Sequence, residues 1–251
     1  MSVSKTPTGP GPGVLEKTSA ILDAIEQGAR TYTQIVDTTG YTRPTVHRLM
    51  KELQRREFLA FYGGGFHFGP RLLRLAATAM RELPLRDLAH PALERLADAT
   101  GEGVQLYIRS GDRRVCVDSV QSKSELRTIV EVGATLPLTA GSAGKVFMAW
   151  AIDVDRERLA ATATALTDRT PVGEELEQQL TYVRRRGWAT SSGERESGVG
   201  SISVPIFGPH HTLAAAVSIS GPASRLGRIS AKQYAPAVVA AAHEIEKALG
   251  A

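Results

Sequence analysis

Ser142 lies in a turn, TAGSAGK, whose composition suggests two kinds of chemistry. A serine at a sharp turn before a helix is a candidate nucleophile, and backbone amides at a helix start favour a bound carboxylate or phosphate. A phosphate-binding loop, however, needs glycine where the chain has Thr139, and a nucleophile elbow needs glycine where it has Ala140. An ordinary helix start is the more common interpretation, and a hydrolase or transferase that uses Ser142 is kept as the alternative.

The segment 42–56 carries five Lys or Arg residues and one carboxylate. Its apolar residues follow the spacing of a buried helical stripe, and the basic side chains lie off that stripe. An α-helix fits the major groove of DNA, where Arg can form two hydrogen bonds with guanine, although a solvated basic face would give the same pattern. The predicted contacts with bases or phosphates come from Thr42, Arg43, Thr45, His47, Arg48 and Lys51.

Serines alternate with apolar residues in two segments near the C-terminus. In SISVPIF, Ser201 and Ser203 share one face of a predicted strand, and in AVSIS, Ser218 and Ser220 do the same. Hydroxyls on a face of small residues leave room for a polar ligand. Exposure of that face to solvent would explain the alternation equally well.

Cysteine and histidine give no signal for catalysis or metal binding. The single cysteine, Cys116, excludes an internal disulfide and any site with several thiolate ligands. Two of the six histidines, His47 and His67, belong to the N-terminal region, and no other histidine stands beside a motif that suggests a base. We therefore predict no catalytic residue, no cofactor and no metal site.

The elements of the first third favour a winged helix-turn-helix. Apolar periodicity predicts a helix over 14–27, a short helix over 33–38 and a third helix that follows Thr42 as N-cap. The glycines at 63–65, flanked by alternating apolar residues, predict a hairpin that serves as the wing, where Tyr62 and His67 either touch DNA or pack. We predict a disordered tail over 1–13, the DNA-binding domain over 14–69 and a linker helix over 70–83.

The rest of the chain, 84–251, mixes helices and strands. Predicted strands cover 104–110, 113–120, 126–132, 201–208 and 212–220, and predicted helices cover 85–100, 142–150, 153–162, 173–186 and 230–249. Strands in two groups with helices around them predict an α+β fold, an antiparallel sandwich of sheet and helices.

Composition and charge fit a globular protein with two regions. Of the 251 residues, 42% are hydrophobic and 22% charged, and no apolar run approaches the roughly 20 residues of a membrane span. The start lacks the apolar core of a signal peptide, so a cytoplasmic location is expected. Residues 1–83 hold 11 Lys or Arg against 7 Asp or Glu, and the remainder holds 19 of each. The excess positive charge, which attracts a polyanion, therefore lies in the first third.

Three segments carry a resemblance to a known family. LTAGSAGKVFMAW at 138–150, RRRGWATSSGERESGVGSISVPIFGP at 184–209 and AAAVSISGPASRL at 214–226 are similar to the IclR family of bacterial transcriptional regulators. The resemblance extends from about residue 14 to 249, and the middle segment is most similar to actinobacterial regulators of amino-acid biosynthesis. It implies a winged helix-turn-helix, a linker helix and a GAF-like effector-binding domain, in a dimer or a dimer of dimers.

The resemblance also implies an effector pocket and partners. Members that bind small carboxylates often have an acidic side chain and a cysteine where this chain has Ser191 and Ser201, so a pocket of serines and amides suits a carboxylate, an amino acid or another small polar metabolite. The other implied partner is double-stranded operator DNA, and no membrane is involved. Met148 is expected to pack in the core. The expected effector-binding residues are Leu136, Ser142, Ala143, Ser191, Ser201, Ser218 and Ser220.

Overall fold

The computed structural model describes residues 13–81, 84–125, 128–227 and 231–251. The chain divides into two compact units, Met1–Glu82 and Leu83–Ala251. All but the last residue of the predicted tail lies outside the described residues. So do residues 82 and 83 of the predicted linker helix, residues 126 and 127 of a predicted strand and residue 230 of the predicted last helix. Within the described ranges, no helix is both long and apolar enough to cross a membrane.

Three helices form the body of the first unit: α1 (Val14–Glu26), α2 (Tyr32–Thr39) and α3 (Arg43–Arg55). Thr31 caps α2 through a reciprocal pair of hydrogen bonds with Gln34, and Gly40 ends it in the left-handed conformation. The predicted stripe of α3 is buried with residues of the other two helices. Leu15 fits the apolar spacing that predicts α1, but its side chain is exposed.

A two-stranded hairpin follows the helices. Strands β1 (Leu59–Tyr62) and β2 (Gly65–Phe68) pair antiparallel across a two-residue turn. Gly63 and Gly64 both have positive φ, which is the geometry that matches the twist of such a hairpin. Helix α4 (Pro70–Arg81) ends the described part of this unit.

One six-stranded antiparallel sheet organises the second unit. Its spatial order is β5-β4-β3-β8-β7-β6, so the two groups of strands seen in the sequence join through the pairing of β3 with β8. The strands are β3 (Gly103–Ser110), β4 (Arg113–Val120), β5 (Thr135–Pro137), β6 (Ala189–Ser192), β7 (Val199–Phe207) and β8 (Leu213–Pro222).

Helices cover both faces of this sheet, as the α+β prediction requires. On one face, α5 (Pro84–Thr100) and α9 (Ala231–Ala248) bury the apolar side chains of β7 and β8. The opposite core contains residues of α6 (Ser142–Trp150), α7 (Arg156–Thr162) and α8 (Gly173–Arg186). Met148 packs in that second core, as expected.

The sequence prediction was wrong about two strands. Residues 128–132, which the β-branched residues of LRTIVEV favoured as a strand, lie in a loop, and the short β5 pairs with β4 in their place. The polar segment ATSS, for which no strand was predicted, forms β6 because β7 supplies its hydrogen-bond partners. In both cases, pairing with a neighbouring strand and not the local β-strand propensity determined which residues form a strand.

Leu93→Ala tests the core between α5 and the sheet. Leu93 is fully buried, whereas Leu88 on the same helix is 42% exposed. We expect Leu93→Ala to lower the free energy of unfolding by about 2–5 kcal/mol, and Leu88→Ala by less than about 0.5 kcal/mol. Urea unfolding followed by tryptophan fluorescence measures this, because both tryptophans, Trp150 and Trp188, belong to the second unit. Equal losses would contradict the described packing.

Candidate functional site

The serine face of the sheet is covered by α6. Cross-strand pairing aligns Ser191 with Ser201 and Ser201 with Ser220, and a second row aligns Ser203 with Ser218. From the start of α6, the Ser142 hydroxyl lies 2.6 Å from those of Ser201 and Ser203. The face is therefore enclosed, which excludes the interpretation that its alternation reflects exposure to solvent.

A small cavity of about 30 Å³ lies between these serines and α6. As the structure stands, that volume admits one or two groups the size of a water molecule, which suits a very small ligand or one end of a larger one. All seven predicted effector-binding residues line it, which are Leu136, Ser142, Ala143, Ser191, Ser201, Ser218 and Ser220. The structure therefore brings the predicted set together at one place, formed by five different segments of the chain.

Charged residues that were not predicted from the sequence also line this cavity. They are Arg114 of β4 and the pair Arg195 and Glu196, so the expectation of a serine and amide pocket without an acidic group was wrong. Burial lowers the pKa of Arg114 to about 10, and the ring of Tyr107 lies 5.5 Å from its guanidinium carbon. The sequence did contain a signal, namely an arginine in the alternating segment RRVCV. Both faces of that strand are largely buried, so the alternation does not tell which face the arginine side chain is on.

Lys145, the last residue of the TAGSAGK turn, forms a buried ion pair. Its Nζ lies 2.5 Å from Oε1 of Glu194 and 2.8 Å from Oε1 of Gln179. Glu194 also accepts a hydrogen bond of 3.2 Å from the amide of Gly141, which places a carboxylate at the positive end of α6. Because Lys145 is occupied inside the protein, it cannot act as the lysine of a phosphate-binding loop.

Two glycines allow the turn to pass close to its neighbours. Gly141 has a φ of +88°, which disfavours other residues. A Cβ at Gly144 would lie 2.2 Å from the carbonyl oxygen of Leu138 and 2.8 Å from Nη1 of Arg114. The glycines therefore let the start of α6 approach both the preceding loop and the buried cation.

Ser142 lacks the partners of a nucleophile. Its hydroxyl bonds only to other serines, and no histidine of the described residues hydrogen-bonds to it. The described ranges also hold no group of three or more His, Cys, Asp or Glu residues arranged to bind a metal ion. Cys116 is buried, its Sγ donates to the carbonyl of Asp118 at 3.2 Å, and burial raises the pKa of its thiol to about 12.

Helix α3 exposes cations at its N-terminal half. Glu52 binds Arg55 at 2.6 Å and Arg56 at 2.5 Å, and these contacts lower the pKa of Glu52 to about 2. Among the described residues, the remaining three cations of the segment form no ion pair and are exposed: Arg43, Arg48 and Lys51. The net positive charge of the helix is thus concentrated in its first turns.

The other predicted DNA contacts lie beside these cations. Thr42 and His47 are exposed and Thr45 is half-buried. The Thr42 hydroxyl bonds to that of Thr45 at 3.0 Å and not to a backbone amide, so Thr42 precedes the helix without capping it through its side chain. On the hairpin, the rings of Tyr62 and His67 stack on each other at 4.0 Å.

The chain matches two known domain families. The domain described as the C-terminal domain of the bacterial transcriptional regulator IclR matches residues 77–247, and the IclR helix-turn-helix domain matches residues 14–61. The first match alone covers more than half of the chain.

Relatives and solved structures agree with these matches. The glycerol operon regulatory protein of Streptomyces coelicolor is 30% identical, with 94% of each chain covered. The transcriptional repressor IclR of Escherichia coli is 28% identical, with 97% of this chain and 93% of the relative covered. The crystal structure of the Thermotoga maritima IclR superposes with a TM-score of 0.72 at 25% identity, over 94% of this chain and 98% of that one. These relatives are regulators, which leaves the enzyme alternative without support.

Lys145→Met tests the buried ion pair. The side chains of Lys145 and Glu194 are 2% and 8% exposed, so removing the cation leaves an unpaired carboxylate in the interior. We expect a loss of about 3–5 kcal/mol in the free energy of unfolding of the second unit, by urea and tryptophan fluorescence. Lys123→Met, which breaks the exposed pair with Asp98, is the matched control and should leave stability unchanged. A loss no larger than that of the control would contradict the structural role of the pair.

Proposed function

Because the chain belongs to the IclR family of bacterial transcriptional regulators, we propose that α3 reads an operator and that a small metabolite in the cavity changes operator affinity. The small cavity lined by serines at the start of α6 is the observation that carries the effector part of this proposal. The corresponding domains are 14–69 for DNA binding, 70–83 for the linker and 84–251 for the effector. Its proposed action on DNA supports a cytoplasmic location.

The exposed face of α3 supports the choice of DNA contacts. In helix-turn-helix proteins, the N-terminal residues of the second helix of the motif contact base edges in the major groove. Arg43, Thr45, His47 and Arg48 occupy that part of α3, with Thr42 just before it, and Lys51 follows one turn later as a phosphate contact. Arg55 and Arg56 are less suited, since Glu52 neutralises them in part.

The metabolite is proposed to act through the spacing of two copies of α3. A ligand shifts an equilibrium only when it binds one arrangement more tightly than the other. Helix α4 exposes Leu73 at 74% and Leu75 at 50%, an apolar surface that a second copy of this chain would cover in a dimer or a dimer of dimers. Two half-sites related by a two-fold axis would then be read together. The similarity to actinobacterial regulators of amino-acid biosynthesis stays a prediction.

A gel-shift assay with the DNA upstream of the protein's own gene tests the proposal against its alternatives. A regulator gives a sharp shift that weakens steeply with salt. An enzyme that uses Ser142, or a binding module without DNA, gives none. A metabolite screen by thermal shift on the same sample then identifies effectors, since ligands that bind only the native state raise the melting temperature.

Lys51→Ala tests the phosphate contact. We expect weaker binding to every DNA sequence and a decrease of about one in the slope of log affinity against log salt concentration, because one counterion fewer is released. Fluorescence anisotropy at several salt concentrations measures the slope. Lys247→Ala removes an exposed lysine of the second unit and should leave it unchanged. An unaltered slope for Lys51→Ala would remove this residue from the interface.

Ser218→Leu tests the cavity. Ser218 is buried and lines the cavity, so the larger side chain fills space that the effector needs. We expect the variant to bind operator DNA with unchanged affinity while an effector from the thermal-shift screen no longer alters that affinity, measured by the same anisotropy assay. Ser110→Leu, at the exposed end of β3, is the control. Loss of DNA binding together with the response would show that Ser218 has a structural role instead.

A further inference from the structure

Arg114 is a buried cation without a carboxylate partner. Its side chain is 3% exposed, and among the described residues it forms no ion pair. Nη1 donates to the carbonyl oxygen of Pro137, and Nε is buried without a hydrogen-bond partner. With its pKa at about 10, the guanidinium keeps its charge at neutral pH. A buried charge of this kind is unfavourable unless something neutralises it.

The other charges around the cavity already cancel one another. Glu194 is bound to Lys145 at 2.5 Å, and Arg195 lies 3.5 Å from Glu196 at the cavity wall. Each of these two pairs is neutral. One positive charge, that of Arg114, is therefore left over among the groups that line or border the cavity.

Further hydrogen-bond donors belong to residues that line the same space. Ser142 and Ala143 both line the cavity at the start of α6, and in the described residues neither of their amides donates a hydrogen bond. Free amides at a helix start favour a negatively charged group. These amides and Arg114 belong to segments far apart in sequence, and the two indications of an anion are independent.

We propose that Arg114 is the counter-charge for a monoanionic effector, so that the cavity selects a small carboxylate over its neutral amide. The proposal depends on the proposed function in one respect, since it concerns the same effector cavity. One carboxylate neutralises the buried guanidinium, whereas a dianion would leave a negative charge buried in its place. A neutral ligand, which the serines alone would also accept, leaves Arg114 unneutralised.

The remaining wall indicates what the carboxylate is attached to. Val130, Leu136 and the ring of Tyr107 line the cavity beside the serines. A small body with an apolar part suits these residues, and a hydroxyl or oxo group on it would find a partner among the serine hydroxyls. The recognised class is thus a small monocarboxylate with a partly apolar body.

Binding of acetate, compared with that of acetamide, tests this assignment. The wild type, Arg114→Met and the control Arg113→Met are compared, Arg113 being the exposed neighbour on the same strand. Melting temperatures are measured by tryptophan fluorescence at equal ionic strength, and affinities by calorimetry. We expect acetate to raise the melting temperature of the wild type and of Arg113→Met more than acetamide does. Arg114→Met should abolish that preference and weaken carboxylate binding about tenfold or more.

The ligand-free variants separate this role from a merely structural one. Arg114→Met should melt at the same temperature as the wild type or higher, because an unneutralised buried charge is removed. Arg114→Lys, which keeps the charge but not the guanidinium, should keep a reduced preference for the carboxylate, and it serves as the test if Arg114→Met does not fold. Equal stabilisation by acid and amide in the wild type, or a preference that persists in Arg114→Met, would overturn the proposal.

Failure of this proposal can be told apart from failure of the proposed function. Operator binding that responds to a neutral metabolite, with no preference for carboxylates, would refute the role of Arg114 alone. A carboxylate preference that depends on Arg114 in a protein that binds no DNA would refute the regulatory function alone.

Discussion

The ion pair between Lys145 and Glu194 holds together the cavity proposed to bind the effector. Its two residues are 49 positions apart, one in the first turn of α6 and the other in the loop between β6 and β7. Glu194 also binds the amide of Gly141, and Thr170 donates to its backbone carbonyl at 2.5 Å. Because a buried charge needs its partner, this contact fixes the loop against the helix start, and Ser191 and Arg195 on either side of it reach the cavity wall.

The register of the sheet supplies the opposite wall. Antiparallel pairing of β6, β7 and β8 places their serines side by side, and α6 lies across them. A shift of one residue in any pair would turn the hydroxyls of that strand into the apolar core against α5 and α9. The same alternation that builds that core therefore determines which side chains a ligand meets.

Features that depend on local periodicity could be predicted from the sequence, and features that depend on distant contacts could not. The buried stripe of α3 and the common face of Ser201 and Ser203 follow from spacings of 3.6 and 2 residues. Arg114 escaped prediction because its strand is buried on both faces and its cavity is completed by residues from other strands. The loop at 128–132 has strand-like residues but pairs with no strand among the described residues, and β6 forms from polar residues because β7 does pair with it.

The burial of Cys116 makes the protein well suited to distance measurements with site-specific labels. It is the only cysteine in the sequence, and a thiol whose pKa is raised to about 12 has almost no reactive thiolate at neutral pH. A cysteine introduced on the exposed face of α3 could thus be labelled selectively in an otherwise native background. Spin or fluorescent labels at that position would report the separation between two copies of the helix directly, with and without a metabolite.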